Sequence, residues 1–467
     1  MNFIVNALIP SLIAALSSAA LVIGFLGIGL MVGAQRAALA IILVRSSCDL
    51  VFAAAKSVLG GQTVWYGPGA AINALVVGLA VLFFLQSPVL IGSAVLPMWG
   101  GFLIAALASL IDSPVLTVSL RGVFWLVTYA AVFALPFGMI RSPESALRCL
   151  GAILFSSVVP VVYAFIELAF GPMLGTDRVA GSIRLISTFT HPNIFAFYLV
   201  ILLAVIFFSS ATTLTPISLR LKWILSLYVP VIIILLLLTG ARSPWLAAAI
   251  VIIVYASTVD RRYLLCFVLV PFIAYVPGVG ERLLDLGSHN TAVGYEPLNS
   301  YAWRQLLWQK TLDFMSEDQS LLSFFFGRGF GSFDYYFVPL VLKAGDDIST
   351  GIGTHNIYLQ ILFELGIFGL ISFLWIFVVL FKKLSKEYSR DKRGSIIMMS
   401  LALSYLIDGY SDNLLDTLVV DWYFWFTMGM VCAWYRLGVT PQGPSETLGR
   451  ITKLRSMRRI EALGWKH

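Results

Sequence analysis

The strongest constraint on this chain is a succession of apolar segments, each about as long as a membrane is thick. A hydrocarbon core about 30 Å thick takes roughly 20 apolar residues per helix. The second of these segments, residues 37–59, contains Arg45, Asp49 and Lys56, so it is either a transmembrane helix or an interfacial, partly buried helix. The sequence therefore predicts about 12 or 13 transmembrane helices. The predicted spans are 4–32, 37–59, 69–86, 88–111, 121–140, 146–170, 191–209, 223–240, 243–258, 263–277, 356–381, 395–410 and 418–435.

Composition leads to the same fold class. Of 467 residues, 59% are apolar and 12% are charged, whereas a soluble globular domain carries about a quarter charged residues. We therefore expect an all-α polytopic membrane protein with one transmembrane domain, residues 1–436, and a basic cytoplasmic tail, residues 437–467. The first segment lacks the basic start of a signal peptide and is predicted to anchor the chain. No metal or cofactor site is predicted, because the four cysteines have neither metal-site nor disulfide spacing.

Basic residues predict the orientation of the second half of the chain. Lys and Arg are enriched in cytoplasmic connections, which places the connection 278–354, with nine acidic and five basic residues, outside the membrane. The C-terminus is then cytoplasmic. The net charge of +7 favours anionic lipid headgroups as partners, and no nucleic-acid-binding module is recognised. The basic clusters are Arg220 with Lys222, Arg261 with Arg262, Lys382 to Arg393, and Arg450 to Arg459.

The outer connection 278–354 is too long for a turn and too aromatic for a disordered linker. Its aromatic residues suit stacking on sugars as well as an interfacial belt, and both interpretations stay open. Apolar positions at intervals of three and four predict an amphipathic helix over 300–315. The glycine-rich stretch 327–332 lacks the lysine and the preceding strand of a nucleotide-binding loop, so it predicts a tight turn beside the substrate. We expect the whole segment to fold as a cap.

Arginine on the predicted outer face runs against the charge rule and marks a candidate binding site. Arg242 lies in a tight turn between two apolar spans, and Arg304 lies in the cap helix. Arg178 and Arg184 precede the span that begins near residue 191. Guanidinium groups bind pyrophosphate oxygens in a bidentate manner, and a polyprenyl-linked glycan is a membrane-bound pyrophosphate outside the cell. The alternative is that each arginine reaches to lipid phosphates.

Two of the four histidines open predicted helices at their outer ends. His191 and His355 stand in Thr-His-Pro-Asn-Ile and Thr-His-Asn-Ile, with Thr190 and Thr354 as predicted N-caps. A helix N-terminus favours a bound anion, and a neutral imidazole beside it can take a proton from an attacking sugar hydroxyl. His355 is the candidate for that role. The alternative is a structural, capping histidine.

Three aspartates recur at intervals of four near an outer helix end: Asp408, Asp412 and Asp416. They could bind a cation or relay protons, but the interpretation that the sequence favours is a solvated outer turn. No motif of a metalloprotease or a serine hydrolase occurs.

Four segments that carry these residues stand in a fixed order at 187–193, 238–246, 303–333 and 354–369. Together they resemble the O-antigen ligase and Wzy-type polysaccharide polymerase superfamily, over roughly residues 180–370. Each motif alone is weak, and their order around a long outer loop makes the resemblance fairly specific. Family members often carry serine where this chain has Ala241, a departure that leaves the charge unchanged.

The resemblance implies a fold related to C-type membrane glycosyltransferases, metal-independent, in the bacterial inner membrane with its site facing outward. It implies a polyprenyl-pyrophosphate-linked glycan donor, a glycan acceptor and inversion at the anomeric carbon, with a chain-length regulator as a candidate partner. By motif, Arg242 and Arg304 would bind the pyrophosphate, and His355 would act as base or orienting group. Arg282 and Arg328 are alternatives to Arg304. The other predicted substrate-binding residues are Arg178, Arg184, His191, Asn193, Arg328 and Asn356.

Ligases and polymerases share these motifs and differ in acceptor, which is lipid A core for a ligase and another lipid-linked repeat unit for a polymerase. The His-Pro-Asn segment at 191–193 is more similar to polymerases, so polymerisation of O-antigen or exopolysaccharide is the predicted function and ligation is the alternative. A flippase would use the same outward arginines but would also need an inward-facing route. Polar or broken helices that could form one are sparse outside 37–59.

Overall fold

The computed structural model of the protein describes residues 33–52, 67–171, 178–179, 182–214, 217–268, 300–318, 320–342 and 353–437, with the single positions 23, 24 and 27. These residues are predominantly helical, which confirms the all-α polytopic class. Nearly all of the predicted first span, much of the connection 278–354 and all of the tail after residue 437 lie outside the described residues. The predicted division into a membrane domain and a tail therefore stays a prediction.

The helices are numbered in chain order. Among the described residues, two short strands pair antiparallel, with Arg178 opposite Ile183. The strands are β1 Arg178–Val179 and β2 Ser182–Ile183. The α-helices are α1 Ala34–Arg45, α2 Pro68–Gln86, α3 Pro88–Ala108, α4 Leu116–Met139, α5 Pro143–Ser156, α6 Val158–Phe170, α7 Pro192–Ala211, α8 Leu219–Leu238, α9 Arg242–Thr258, α10 Leu265–Val268, α11 Ser300–Glu317, α12 Leu321–Phe326, α13 Phe333–Leu342, α14 Ile357–Lys386, α15 Lys392–Asp408 and α16 Leu418–Arg436. Short 3-10 turns cover Ser109–Asp112, Arg261–Leu264 and Leu414–Asp416.

Seven helices among the described residues are long and apolar enough to cross a membrane. They comprise α2, α3 with the turn that follows it, α4, α5 with α6, α7, α8 and α14. Helix α9 is apolar but shorter. The predicted total of about 12 or 13 includes spans that lie largely outside the described residues, so the full count stays a prediction.

The second predicted span is not one continuous helix in the described residues. Helix α1 ends at Arg45, whose guanidinium carbon lies 5.3 Å from the Phe52 ring centroid and 5.5 Å from that of Trp422. Arg45 also pairs with Asp49 at 3.5 Å. A buried arginine needs such partners at membrane depth, which explains why the apolar run stops there.

Helices α7 and α16 form the centre of the bundle. Every side chain of α7 from Phe195 to Phe208 is buried, as expected for a helix that is apolar on all sides. Helix α16 contributes Trp425, whose ring centroid lies 4.6 Å from that of Trp99 in α3. The packing of large rings from several helices fixes the relative positions of their ends.

One end of the bundle is basic and is held by Asp391, in the turn between α14 and α15. The Asp391 carboxylate accepts hydrogen bonds from Thr212 Oγ1 at 2.6 Å and from the Thr213 amide at 3.2 Å, just after α7. Arg390 donates to the carbonyl of Tyr435, near the end of α16, at 2.8 Å. The ends of α7, α14 and α16 therefore share one face, and the beginnings of these helices meet at the opposite face.

Helix α14 is broken at Gly366, where the backbone has φ of 68°. The glycine-rich turn fits against this break, because Gly327 has φ of 76° and a β-carbon there would collide with the Glu364 carbonyl. The amide of Gly329 donates to that same carbonyl at 2.9 Å. A helix break frees carbonyls from their usual partners, and the turn replaces one of those partners. The predicted tight turn at 327–332 is confirmed.

Candidate active site

A cavity of about 830 Å³ lies where the first turns of α4, α7 and α14 meet the turn between α15 and α16. The segment from Phe330 to Tyr335 forms a further wall, so the glycine-rich turn does lie beside the cavity. Of the predicted site residues, His191 and His355 line this space.

The predicted helix over 300–315 is confirmed as α11, and its buried Leu307 packs with Phe333, Phe337 and Phe363.

His355 is held in an unusual backbone conformation by its neighbours. Its φ is 49°, in the left-handed region that non-glycine residues rarely adopt. Asn413 Oδ1 accepts hydrogen bonds from Thr354 Oγ1 at 2.9 Å and from the Asn356 amide at 3.3 Å, one on each side of the histidine. Trp308 of α11 donates to the Thr354 carbonyl at 2.7 Å. Such over-determined strain is a feature of functional sites.

The N-caps of the two helices differ from the prediction. Helix α14 is capped by Asn356, whose Oδ1 accepts from the amides of Tyr358 at 3.0 Å and Leu359 at 3.1 Å. Helix α7 is capped by His191, whose Nδ1 accepts from the Asn193 amide at 3.2 Å. The prediction of Thr190 and Thr354 as caps is therefore wrong by one and two residues. Asn356 offers a carbonyl oxygen in a better position than the Thr354 hydroxyl, which bonds Asn413 instead.

The charges around His355 keep its imidazole neutral. Burial and the nearby Arg304 lower the pKa of His355 to about 4, although Asp412 opposes this shift. Asp412 Oδ1 lies 4.0 Å from His355 Nδ1, and this nitrogen has no hydrogen-bond partner among the described residues. A neutral imidazole can accept a proton, so the histidine has the protonation state that a general base requires.

Asp412 is itself held by a chain of hydrogen bonds that ends at the turn before Arg242. Asn193 Nδ2 donates to Asp412 Oδ2 at 2.7 Å, and Arg184 donates to Asn193 Oδ1 at 2.9 Å. Arg184 Nε also donates to the carbonyl of Thr239 at 2.9 Å. Arg184 and Asn193, predicted to bind substrate, are placed here as supports of Asp412 and of the neighbouring turn.

The two arginines expected to bind pyrophosphate lie at the margin of this network. Arg242 is the first residue of α9, and the adjacent Ser243 hydroxyl contacts that of Ser411, next to Asp412. Arg304 lies in α11, where burial lowers its pKa while Asp412 and Asp408 raise it. Neither arginine is among the described residues that line the cavity. Arg304 therefore acts electrostatically on His355 and Asp412 from outside the cavity wall, and the helix that begins at Arg242 contacts Ser411 beside Asp412.

Of the other predicted binding residues, Arg328 stands apart from the cavity. Arg328 is buried between the rings of Phe363, 4.8 Å from its guanidinium carbon, and Phe314, at 5.3 Å, and it pairs with Asp318. These contacts stabilise the cap. The backbone of Arg178 lies in β1, and its side chain is outside the described part of the chain.

The solvated turn expected for the three aspartates is wrong for Asp408, which is fully buried at the end of α15. Asp412 is 13% exposed, and Asp416 opens into the cavity. Desolvation inside the cavity raises the pKa of Asp416 to about 7, with Asp334 and Asp412 adding to the shift. A period of four suggests a common helix face, but the 3-10 turn Leu414–Asp416 directs the third aspartate separately.

Sequence reasoning missed several polar residues of the cavity wall, among them Arg121, Gln360 and Glu364 inside helices. Gln360 Nε2 donates to Asp416 Oδ1 at 2.9 Å and to Glu364 Oε2 at 3.3 Å. Glu364 Oε1 accepts from the amide of Phe333 at 3.1 Å. The available signal was polar residues inside apolar helices, which are costly there and mark functional sites.

Comparison with protein families bears on the central and later part of this site. Residues 227–374 match the model of the O-antigen ligase family. This segment begins within α8, ends within α14 and contains Arg242, Arg304 and His355. No curated protein was found to match the chain. The match covers less than half of the chain, and it supports the superfamily that the motifs of the chain resemble.

Proposed function

We propose that the protein is a membrane glycosyltransferase that polymerises polyprenyl-pyrophosphate-linked repeat units into O-antigen or exopolysaccharide. The observation that carries the proposal is His355, strained and neutral at the wall of a polar cavity and inside the segment that matches the O-antigen ligase family. Arg304 acts electrostatically on the same imidazole. Glycan transfer from a pyrophosphate requires a base and an anion-binding group, and in the proposal His355 is the base and Arg304 belongs to the anion-binding group.

In the proposed reaction His355 takes the proton of an acceptor hydroxyl, and the oxygen attacks the anomeric carbon of the donor. The new carbon–oxygen bond forms as the bond from that carbon to the pyrophosphate oxygen breaks. Attack from the face opposite the leaving group inverts the anomeric configuration. The polyprenyl pyrophosphate leaves with the bonding electron pair, and Arg242 and Arg304 stabilise its charge by bidentate contacts. General-base catalysis of this kind contributes typically about 10²–10⁴-fold.

Replacing Arg242 by lysine separates pyrophosphate binding from contact with lipid phosphates. Lysine keeps the charge but offers a point donor in place of a planar fork, so a pyrophosphate site should lose most of its turnover. An arginine that reaches to lipid phosphate would tolerate the change, because a headgroup adapts its position. Full transfer activity in Arg242→Lys at normal expression would argue against the pyrophosphate role.

The proposal includes an orientation in the bacterial inner membrane. The cavity end faces outward with 278–354 as its cap, residues 1–436 form the membrane domain, and the basic end and C-terminus face the cytoplasm. A membrane-impermeant thiol reagent should label a cysteine introduced at Ser316 in α11 and spare one at Ser257, near the far end of α9. The reverse pattern would place the cavity in the cytoplasm and exclude the proposed donor compartment.

A ligase remains the second candidate, because the family that matches is described as O-antigen ligase. The two functions predict different accumulated products when the protein is absent. Surface polymer reduced to single repeat units indicates a polymerase. Long chains that remain on the polyprenyl carrier indicate a ligase, and loss of all outward-facing units indicates a flippase.

A further inference from the structure

The cavity wall formed by α4, α13, α14 and the 3-10 turn Leu414–Asp416 carries a group of residues that the proposed transfer chemistry does not use. We call this group the acidic sector, and it consists of Arg121, Trp125, Asp334, Gln360 and Asp416. All five line the cavity that also contains His355. The sector therefore shares one space with the proposed base while contributing no group to the proton transfer.

The sector is arranged as a connected set of side chains. The Arg121 guanidinium carbon lies 5.1 Å from the Trp125 ring centroid and interacts electrostatically with Asp334 and Asp416. Asp416 Oδ1 accepts from Gln360 Nε2 at 2.9 Å. Because the Gln360 amide nitrogen also faces Glu364 Oε2 at 3.3 Å, two carboxylates fix the orientation of its side chain.

Besides His355 Nδ1, two buried polar atoms of the cavity wall have no partner within the described part of the chain. Gln360 is 3% exposed and its Oε1 accepts no hydrogen bond, and Ser332 is 2% exposed with an unpartnered hydroxyl. Both residues line the cavity. Buried polar groups are nearly always satisfied, so these two atoms mark unused hydrogen-bonding capacity within the cavity wall.

The charge of the cavity wall decides which substrate fits this side. Arg121 is the one arginine or lysine among the described lining residues, against the carboxyl groups of Asp334, Glu364, Asp412 and Asp416. Such a surface offers a pyrophosphate few cationic partners, and charge complementarity with an anion is therefore poor. Carboxylates, an amide, a guanidinium and a tryptophan face suit the hydroxyl groups and apolar faces of a sugar ring.

We propose that the acidic sector is the acceptor subsite, which binds a hydroxyl-rich sugar ring of the acceptor glycan and directs its attacking hydroxyl toward His355. This inference rests on the proposed function and assigns residues to its second substrate. The donor pyrophosphate then lies on the side of Arg304 and Arg242. Gln360 acts as a positioning residue, because it orients Asp416 through a hydrogen bond.

Two probes separate the subsites in the purified full-length protein. The first is the free repeat-unit oligosaccharide, released by mild acid from the lipid-linked pool, and the second is polyprenyl pyrophosphate without sugar. The Kd of each probe is to be measured by calorimetry with the protein in nanodiscs. The Kd of the oligosaccharide is then to be measured a second time in the presence of saturating polyprenyl pyrophosphate. We expect Asp416→Asn and Arg121→Gln to raise the oligosaccharide Kd about tenfold or more, because each removes charged hydrogen bonds. The Kd of polyprenyl pyrophosphate should stay within about twofold.

Matched variants complete the experiment. Arg304→Gln should weaken polyprenyl pyrophosphate and spare the oligosaccharide, and Asp313→Asn, an exposed carboxylate on α11, should change neither. Asn is isosteric with Asp, so Asp416→Asn carries the test should Arg121→Gln fail to fold. Wild-type protein that binds neither probe overturns the proposed function itself. If the wild-type protein binds both probes, two results overturn the subsite assignment alone. In the first, the sector variants keep oligosaccharide binding, and in the second, they lose both probes equally. Displacement of the oligosaccharide by saturating polyprenyl pyrophosphate also overturns it.

Discussion

Replacing Asn413 by leucine tests whether the backbone clamp around His355 is needed for transfer. Asn413 Oδ1 accepts hydrogen bonds from Thr354 Oγ1 at 2.9 Å and from the Asn356 amide at 3.3 Å. Leucine of similar size accepts neither. The histidine between them has φ of 49°, a conformation that an L-residue leaves when it is not held.

The expected magnitude follows from these two bonds. Each contributes about 1 kcal/mol net, so their loss costs about 2 kcal/mol. The left-handed backbone costs roughly 1–2 kcal/mol, which means that the clamp and the strain are of similar size. Without the clamp His355 should relax to an ordinary backbone and move its imidazole. At about 1.4 kcal/mol per tenfold in rate, kcat should fall about 30-fold.

The assay is single-turnover glycan transfer by purified protein, together with donor Kd and melting temperature. Asn413→Asp is the matched control, because its carboxylate keeps an acceptor oxygen at the same position, and it should recover most of the rate. Loss of kcat with unchanged donor Kd identifies a positioning role. Equal rates for Asn413→Leu and wild type would refute the argument that the clamp positions the base, and an equal loss in Asn413→Asp would show that packing and not hydrogen bonding matters.

Three further predictions follow from the site. His355→Ala should lose about 10²–10⁴-fold in transfer while keeping donor binding, and His191→Ala should be milder; a greater loss at His191 would assign the base to α7. Arg304→Gln should move the acid limb of the kcat/KM profile to higher pH, because Arg304 lowers the pKa of His355 and only the neutral imidazole accepts a proton; an unmoved limb would show that another group titrates. Gly327→Ala should lower the melting temperature or the folded yield, because φ is 76° at this position and a β-carbon there meets the Glu364 backbone. Gly78→Ala is the control, since Gly78 has open space around it, and it should lower neither. Similar behaviour of both variants would contradict the docking of the turn.

Much of the site was predictable because the signals were local. His355 and His191 stood out as rare residues at helix starts, and both line the cavity. The helix over 300–315 and the turn at 327–332 followed from spacing and from glycine content. The caps were misplaced because competition between Thr354, Asn356 and Asn413 for the same amides depends on a turn nearly 60 residues away. Asp408 was misjudged for a related reason, since its burial comes from the packing of other helices.

Local sequence was enough to predict a helical membrane protein, because an apolar run of membrane length pairs all of its backbone groups in lipid by forming a helix. Rare polar residues in this apolar setting are costly, and this cost indicated which residues to examine. Which of these residues contact one another depends on the tertiary packing. Arg328 is turned into the cap, Arg184 and Asn193 support Asp412, and Gln360 joins Asp416 across 56 residues of chain. Hydropathy reports how deep a residue lies, whereas helix rotation and packing determine which partner it contacts, and no local pattern encodes that choice.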